Sequence, residues 1–397
     1  MKNLMLAFLF TSFLTVAKAQ GIRDTNFIES KVPAYTLPDV LKSANNKAIK
    51  SRKDWEANRS ALLTLFENNI YGQMPQSFED IKFTVEKVDK EAMQGKATLK
   101  QVVITVSNNH KAVKLNLVLF VPNERKKAVP AFLLINNRGK EHMDPTRVMK
   151  SGFWPAEMLI DSGYAIAAFH VSDAAPDHQD TYMNGVLQLY PEQLKIDHGM
   201  KAIGAWAWAA SRVMDYFETD PDIDANKVTV VGHSRGGKAS LWAAAQDRRF
   251  AMCVSNNSGN TGAALSRRDF GESIRMINTS FPHWFNNNYK KFNDKEDLLP
   301  VDQHMLVALM APRPIYATNA SKDLWADPVG TFLALKHAEK VYALYGIKSQ
   351  LPVLPPQINE PIVNAHLAYH NREGIHDLTP YDWNNFIKFA NYHFSSN

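Results

Sequence analysis

The spacing of hydrophobic and polar positions changes once along this chain. Three alternating runs, Phe83–Lys90, Leu99–Ser107 and Lys114–Val121, predict antiparallel strands, because one side chain in two would face a core. From Ala128 onward, short apolar runs alternate with longer helical segments. Strands that alternate with helices predict a mostly parallel sheet with right-handed crossovers.

The individual elements follow from runs of apolar residues bounded by turn residues. We also interpret the aromatic, Asn-rich segment 281–300 as an insertion over the active face. The predicted later strands are Ala128–Asn136, Tyr164–His170, Val228–Val231, Phe250–Ser255 and Pro314–Thr318, and the predicted helices are Trp55–Tyr71, Met200–Phe217, Val329–Tyr345 and Pro380–Phe394.

The N-terminus predicts export from the cytoplasm. Lys2 precedes an apolar stretch from Leu4 to Val16, and Ala17-Lys18-Ala19 gives the small-x-small pattern of a signal peptidase site. We therefore expect cleavage after Ala19 and a periplasmic or secreted protein with no membrane attachment after cleavage. Residues 20–397 would form a single catalytic domain with an N-terminal extension over about 20–80.

Composition narrows the possible partners and the compartment. The formal net charge of +5 is too small to indicate nucleic-acid binding. Cys253 is the only cysteine, so no intramolecular disulfide can form, and its apolar neighbours favour a core position over a nucleophile. Export without disulfides fits a bacterial periplasm or exterior.

The pentapeptide Gly232-His233-Ser234-Arg235-Gly236 follows the apolar run Val228–Val231 directly. A Gly-x-Ser-x-Gly segment between a strand and a helix forms a sharp turn that exposes the serine hydroxyl above the sheet. Small residues at this turn allow the helix to pack closely. The pattern predicts that Ser234 is a nucleophile, although an ordinary strand-turn-helix would also fit the five residues alone.

Reactive groups of an α/β sheet collect at the carboxyl ends of its strands, so the loops after the strands hold the candidates. We assign His376 as general base and Asp323 as the acid that orients it. Asp327, before a proline, and Asp377 are interpreted as helix caps. The order Ser, Asp, His favours an α/β-hydrolase, a three-layer sandwich with helices on both faces of a mostly parallel sheet.

A larger ordered set of motifs is shared with one family. The chain resembles the glucuronoyl esterases of carbohydrate esterase family 15, in their bacterial form, over roughly residues 50–395. The motifs are Gly232-x-Ser234-Arg235-x-Gly237-Lys238, Phe270-Gly271-Glu272, Phe281-Pro282-His283-Trp284-Phe285, Leu299-Pro300-Val301-Asp302-Gln303-His304, Ala311-Pro312-Arg313-Pro314, Asp323-Leu324-Trp325-Ala326-Asp327-Pro328-x-Gly330 and a C-terminal histidine.

The resemblance implies cleavage of the ester between 4-O-methyl-glucuronic acid of glucuronoxylan and lignin alcohols, through an acyl-enzyme on Ser234. It implies that Arg235 stabilises the oxyanion and that Lys238, Glu272 and Trp325 contact the uronate sugar. From the residues alone, Lys238 and Glu272 could equally form a structural ion pair, and Trp325 could belong to the core.

Two positions depart from the family pattern. Many fungal members place a glutamate acid in the loop that here reads Ser255-Asn256-Asn257-Ser258, so the acid must come from Asp323, as in many bacterial members. His233 stands where many members have cysteine. We expect it to lie on the opposite side of the turn from the catalytic groups and not to act as the base.

The expected enzyme is a monomer that needs no metal or organic cofactor and acts on a polysaccharide. His170, Asp173, Asp177 and His178 match no metal-ligand spacing and are interpreted as a polar loop. One alternative is an acetyl- or feruloyl-xylan esterase with the same catalytic residues. A second is a carbohydrate-binding relative that has lost catalysis.

Overall fold

In the part of the chain that the structure describes, nine strands form one continuous sheet. The computed structural model describes residues 25–43 and 45–395, so the predicted signal peptide lies outside the described residues. The strands are β1 (Asp80–Ala92), β2 (Ala97–Asn108), β3 (Lys111–Pro122), β4 (Val129–Asn136), β5 (Ala165–His170), β6 (Ile223–His233), β7 (Met252–Asn256), β8 (Ile315–Ala320) and β9 (Leu367–Arg372).

The strand order is β1-β2-β3-β5-β4-β6-β7-β8-β9. The first three strands pair antiparallel, β3 pairs antiparallel with β5, and every pairing from β5 to β9 is parallel. This arrangement confirms the predicted change from an antiparallel start to a mostly parallel sheet. The carboxyl ends of β6, β7, β8 and β9 consequently lie side by side at one edge of the sheet.

Helices cover both faces of the sheet. The α-helices are α1 (Arg52–Phe66), α2 (Ala156–Asp161), α3 (Val171–Ala174), α4 (Ala202–Phe217), α5 (Arg235–Gln246), α6 (Ile274–Ser280), α7 (Gln303–Ala308), α8 (Pro328–Ala343) and α9 (Pro380–Phe394). Leu133 packs into the core beneath α4, α5 and α8, whereas its neighbour Leu134 packs into the opposite core beneath α2 and α9. A strand that is buried on both faces has a continuous apolar sequence, as β4 does.

The strand β9 was missed by the sequence prediction, although it carries the loop with His376. Its sequence, Leu367-Ala368-Tyr369-His370-Asn371-Arg372, turns polar at its end. His370 is buried in the strand because Asp382 of α9 accepts a hydrogen bond from its ring at 2.8 Å. A satisfied polar group can thus occupy a core strand that the apolar pattern does not reveal.

Cys253 is fully buried in β7, which confirms its predicted core position. Burial raises the pKa of its thiol to about 12, so the reactive thiolate is suppressed at neutral pH. Among residues 25–43 and 45–395, no helix has the length and apolar character that crossing a membrane requires. The division into one catalytic domain with an N-terminal extension stays a prediction.

The predicted helix from Trp55 ends at Tyr71 as expected, but its last turn is π-helical and not α-helical. After α1, residues 67–71 form a π-helical turn, and Gly72 closes it with φ of +83°. A Cβ at Gly72 would stand 2.3 Å from the Met200 backbone. Gly72 is therefore required both for its backbone angle and for the close approach of the chain before α4.

We expect Gly72→Ala to destabilise the protein more than Gly163→Ala. Gly163 has a matching φ of +82°, but a Cβ there would meet no atom within 4 Å, so its replacement costs only the backbone term of about 1 kcal/mol. Overpacking against Met200 should add about 1–3 kcal/mol at Gly72. Urea unfolding of both variants measures the difference, and equal losses would contradict the steric argument.

Candidate active site

Ser234 occupies a strained turn between β6 and α5. Its φ of +56° and ψ of −126° lie outside the regions that serine ordinarily adopts. Its carbonyl accepts the first helical hydrogen bonds, from the backbone N–H groups of Gly237 at 2.9 Å and Lys238 at 3.1 Å. Such a conformation costs about 1–3 kcal/mol and persists only where the surroundings enforce it.

The glycines around Ser234 are a steric requirement. A Cβ at Gly232 would stand 1.9 Å from the carbonyl oxygen of Gly236, and one at Gly237 would stand 3.0 Å from Cβ of Ser258. The backbones of β6, α5 and the loop after β7 therefore touch directly. The small residues beside the serine are required because larger side chains would prevent this contact.

Asp323 and His376 are brought together from the loops after β8 and β9. Asp323 Oδ2 lies 2.6 Å from His376 Nδ1. The carboxylate is buried, whereas the imidazole side chain is 40% exposed. Because the carboxylate accepts at Nδ1, the proton resides there and Nε2 keeps its lone pair, which is the tautomer that a general base needs.

Asn257 supports the same carboxylate. Its Nδ2 donates to Asp323 Oδ2 at 3.1 Å. The loop in which many fungal members of the resembled family carry an acid therefore holds a hydrogen-bond donor that contacts Asp323.

The two loops are tied together beyond the last residues of their strands. The backbone N–H of Lys322 donates to the carbonyl of Gly374 at 2.9 Å. The buried Arg372 guanidinium donates to the carbonyls of Ile375 at 2.9 Å and Asp377 at 2.8 Å, on either side of His376. His376 is thus held by its own loop backbone as well as by Asp323.

The prediction that His233 lies away from the catalytic groups is wrong. Its ring centroid lies 4.5 Å from that of His376, and Phe153 packs edge-on against its other side at 5.6 Å. Burial and the nearby His376 hold the pKa of His233 well below its usual range, so the ring is neutral. This contact also brings His376 to the residue that precedes Ser234.

Arg235 pairs with a residue that the sequence prediction did not assign to the site. Its Nε lies 2.7 Å from Asp177 Oδ2, and Asp177 Oδ1 accepts hydrogen bonds from His283 at 2.8 Å and Trp284 at 2.7 Å. Burial disfavours the Asp177 carboxylate, but the His283 hydrogen bond and the Arg235 charge outweigh burial and lower its pKa.

Asp177 lies in the polar loop after β5, and His283 and Trp284 come from the segment 281–300. Asp177 could have been proposed from the sequence, because reactive groups lie in the loops after parallel strands. Its partners could not, because they are distant from it in sequence. In the part of the chain that the structure describes, no group of three or more His, Cys, Asp or Glu side chains is disposed to hold a metal ion.

Lys238 and Glu272 form a buried ion pair, one of the two interpretations left open. Lys238 Nζ lies 2.7 Å from Glu272 Oε2 and also donates to the carbonyls of Ser258 and Asn260. These three acceptors occupy all three N–H groups of the ammonium. Trp325 is 40% exposed and so is not a core residue. Contacts of all three side chains with a sugar stay predictions.

Asp327 caps α8 as predicted, since its side chain accepts from the backbone N–H of Gly330 at 2.9 Å. It also lies 2.8 Å from the Arg268 guanidinium, and both side chains are buried. The residue is therefore a cap and one half of an interior ion pair.

The predicted capping role of Asp377 is wrong. Thr379 caps α9 through a capping box with Asp382. Asp377 instead lies 2.6 Å from Arg138 on the loop after β4. The cap prediction failed because the helix starts later in the chain than the acidic side chain suggested.

The layered sheet, with the Ser234 turn and the Asp323–His376 pair on loops at its carboxyl edge, is that of an α/β-hydrolase. The family model for glucuronyl esterases of fungi matches residues 104–346. A carbohydrate esterase, MZ0003, from an unknown prokaryotic organism is 41% identical, covering 94% of this chain and 92% of that protein. The chain belongs to carbohydrate esterase family 15, the glucuronoyl esterases, and is a carboxylic ester hydrolase.

Two further relatives show the range of the family. The solved glucuronoyl esterase from Solibacter usitatus superposes with a TM-score of 0.86 at 38% identity, covering 91% of this chain and 99% of that one. The 4-O-methyl-glucuronoyl methylesterase of Cerrena unicolor is 25% identical, covering 81% of this chain and 65% of its own length.

We expect Asp323→Asn and Asp327→Asn to separate catalysis from stability. Asp323→Asn should lower kcat by about two to four orders of magnitude, because an amide cannot hold the base tautomer and its charge. Asp327→Asn keeps the cap, worth about 1 kcal/mol, but removes one of the two carboxylates that pair with the buried Arg268 and leaves Glu29 as the other, a loss of up to about 3 kcal/mol. Ester turnover and chemical unfolding of both variants measure this.

Exchanged phenotypes, with Asp327→Asn inactive and Asp323→Asn merely unstable, would show that the acid has been assigned to the wrong residue. Asn257→Ala serves as a control, because it removes only the supporting hydrogen bond to Asp323.

Proposed function

We propose that this protein is exported to the periplasm or secreted, and that it hydrolyses the ester between 4-O-methyl-glucuronic acid of glucuronoxylan and lignin alcohols. The observation that carries the reaction type is the hydrogen-bonded Asp323–His376 pair beside the strained Ser234 turn. Relatives that are named 4-O-methyl-glucuronoyl methylesterases support a glucuronate as the acid part of the ester. The catalytic form is a monomer without metal or organic cofactor.

Ser234 Oγ attacks the ester carbonyl carbon and passes its proton to Nε2 of His376. Asp323 stabilises the imidazolium that results, without taking the proton itself. The imidazolium then protonates the alcohol oxygen as the carbon–oxygen bond breaks, leaving an ester on Ser234. Water, deprotonated by His376, attacks this acyl-enzyme and releases the uronic acid.

Arg235 acts on the oxyanion that forms in both halves of the reaction. Its guanidinium carries a permanent charge, and Asp177 keeps the side chain in one place before substrate binds. A single preorganised donor of this kind contributes about 2.7–4 kcal/mol in the transition state. The backbone N–H of Arg235, at the head of α5, is the second donor.

The uronate sugar lies against Trp325 and Glu272. Trp325 offers an exposed ring face, which suits the apolar face of a pyranose. Because Lys238 uses its three N–H groups within the protein, we assign it to fix Glu272, and Glu272 to accept from a sugar hydroxyl.

We expect benzyl glucuronate to be hydrolysed with a higher kcat/KM than benzyl galacturonate, since Glu272 and Trp325 would contact the sugar and distinguish its hydroxyls.

Ser234→Ala should lower kcat at least about 1,000-fold, because no other nucleophile lies at the turn. A serine-reactive phosphonate should label the wild type and not this variant. Faster release of acetate or ferulate from xylan would favour the alternative esterase, and no phosphonate labelling would favour a binding protein.

We expect Asp177→Asn to lower kcat about tenfold with little change in KM, because it releases Arg235 without removing it. Asp173→Asn, four residues earlier on α3, is the matched control, since Asp173 contacts Lys140 and Asn116 instead. In an Arg235→Ala background, Asp177→Asn should have no additional effect. A loss that persists in that background would mean that Asp177 acts on the fold and not through Arg235.

A further inference from the structure

We propose that Phe27 adds a second ring to the substrate surface and contacts the xylan sugar that carries the uronate. The inference rests on the proposed function and extends it along the polysaccharide. The ring centroid of Phe27 lies 6.4 Å from that of Trp325, with the planes 37° apart. The two side chains are 43% and 40% exposed, so both present ring surface to solvent.

Exposed aromatic rings are rare on this protein. Among residues 25–43 and 45–395, the Phe, Tyr and Trp side chains exposed by two fifths or more are Phe27, Trp325 and Tyr392. Two of these three are in contact with each other, next to the candidate active site. Large aromatic side chains usually bury most of their area, so an adjacent exposed pair indicates a surface that binds a ligand.

Specific contacts hold Phe27 in this place. The carbonyl of Asn26 accepts from the backbone N–H of Gly271 at 2.8 Å, and the Asn26 side chain accepts from the N–H of Ile28 at 2.9 Å. Phe270 packs edge-on against the Phe27 ring at 6.4 Å. The N-terminal segment is therefore docked on the loop that leads to Glu272.

An ion pair fixes the other side of the segment. Glu29 lies 2.7 Å from Arg268, which is buried and pairs with Asp327 through its Nε. Asp327 follows Trp325 by two residues, so one connected set of contacts joins the segment to the Trp325 loop. A surface ordered before binding loses little entropy when a ligand is bound.

The contacts of Phe27 place it near the acid part of the bound ester, on the side of Glu272. The backbone N–H of Glu272 donates to the carbonyl of Trp325 at 3.0 Å, which places Trp325 on the Glu272 side of its loop. Phe27 packs on that same side, through Phe270. The leaving alcohol must lie near His376, which protonates it. Because the Phe27 ring contacts Phe270 and Trp325, which flank Glu272, we place it beside the sugar chain attached to the uronate and not beside the alcohol.

The test compares two methyl esters that differ only in the acid part: methyl 4-O-methyl-glucuronate and the methyl ester of an aldouronic xylo-oligosaccharide. Phe27→Ala should raise KM for the oligosaccharide ester about five- to tenfold and leave its kcat in place, since one ring contact is lost. The monosaccharide ester, which has no second sugar, should keep its KM. Phe27→Trp should retain the wild-type values.

Tyr392→Ala is the matched control, because Tyr392 is equally exposed but lies on α9, and it should change neither KM. Unchanged KM values in Phe27→Ala, or equal losses on both esters, would overturn the proposal. So would a loss that appears only when methyl glucuronate is replaced by benzyl glucuronate, which would place Phe27 on the alcohol side.

Failure of the proposed function is visible separately, as inability of the wild type to hydrolyse either glucuronate ester. In that case calorimetric binding of the free aldouronic oligosaccharide to Ser234→Ala, with and without Phe27→Ala, still decides the proposal. Equal affinities of the two proteins would overturn it.

Discussion

The positive φ of Ser234 is the constraint on which the rest of the site depends. A serine in this conformation is stable only because the backbones on both sides leave it no alternative. Its N–H donates to the carbonyl of Asn256 in the neighbouring strand at 2.8 Å, while its own carbonyl starts α5. Gly232 and Gly236 allow that helix to approach so closely. The sheet and its crossover helix together determine where the hydroxyl can point.

Charge in the site is arranged before any substrate is present. A permanent cation next to the nucleophile would be costly to bury alone, and Asp177 balances it at 2.7 Å. The Asp323 carboxylate is balanced in a different way: it receives hydrogen bonds from Asn257 and His376, neither of which carries a permanent charge. One half of the site is an ion pair and the other is a hydrogen-bonded pair, which suits the proposed roles of stabilising charge and moving protons, respectively.

The sequence was sufficient for most of the fold, because the period of apolar residues reports directly on strands and helices. The final helix, Pro380–Phe394, was predicted with its observed bounds. The strand β9 was not, because its burial depends on the pairing of His370 with Asp382, which no local pattern records. Ser234, His376 and Asp323 were predicted from turn chemistry and chain order, and the structure brings Asp323 and His376 together.

The contacts that position these groups were harder to predict. Asp177 meets Arg235 and Trp284 across 58 and 107 residues of chain, and such contacts become visible only when the loops are placed in space. The ring contact between His233 and His376 was missed for the same reason, since a one-dimensional view of the turn puts the two histidines on different sides.

The hydrogen bond from Asn257 to Asp323 shows that two neighbouring loops reach the same point of the site. Side chains from two adjacent strands reach one point beside the imidazole, only 3.1 Å apart. Carboxylates at both positions would share a single proton, because two like charges at that distance cannot both ionise at neutral pH. A carboxylate beside His376 can therefore be supplied from the loop after either strand, without any change in the positions of His376 and Ser234.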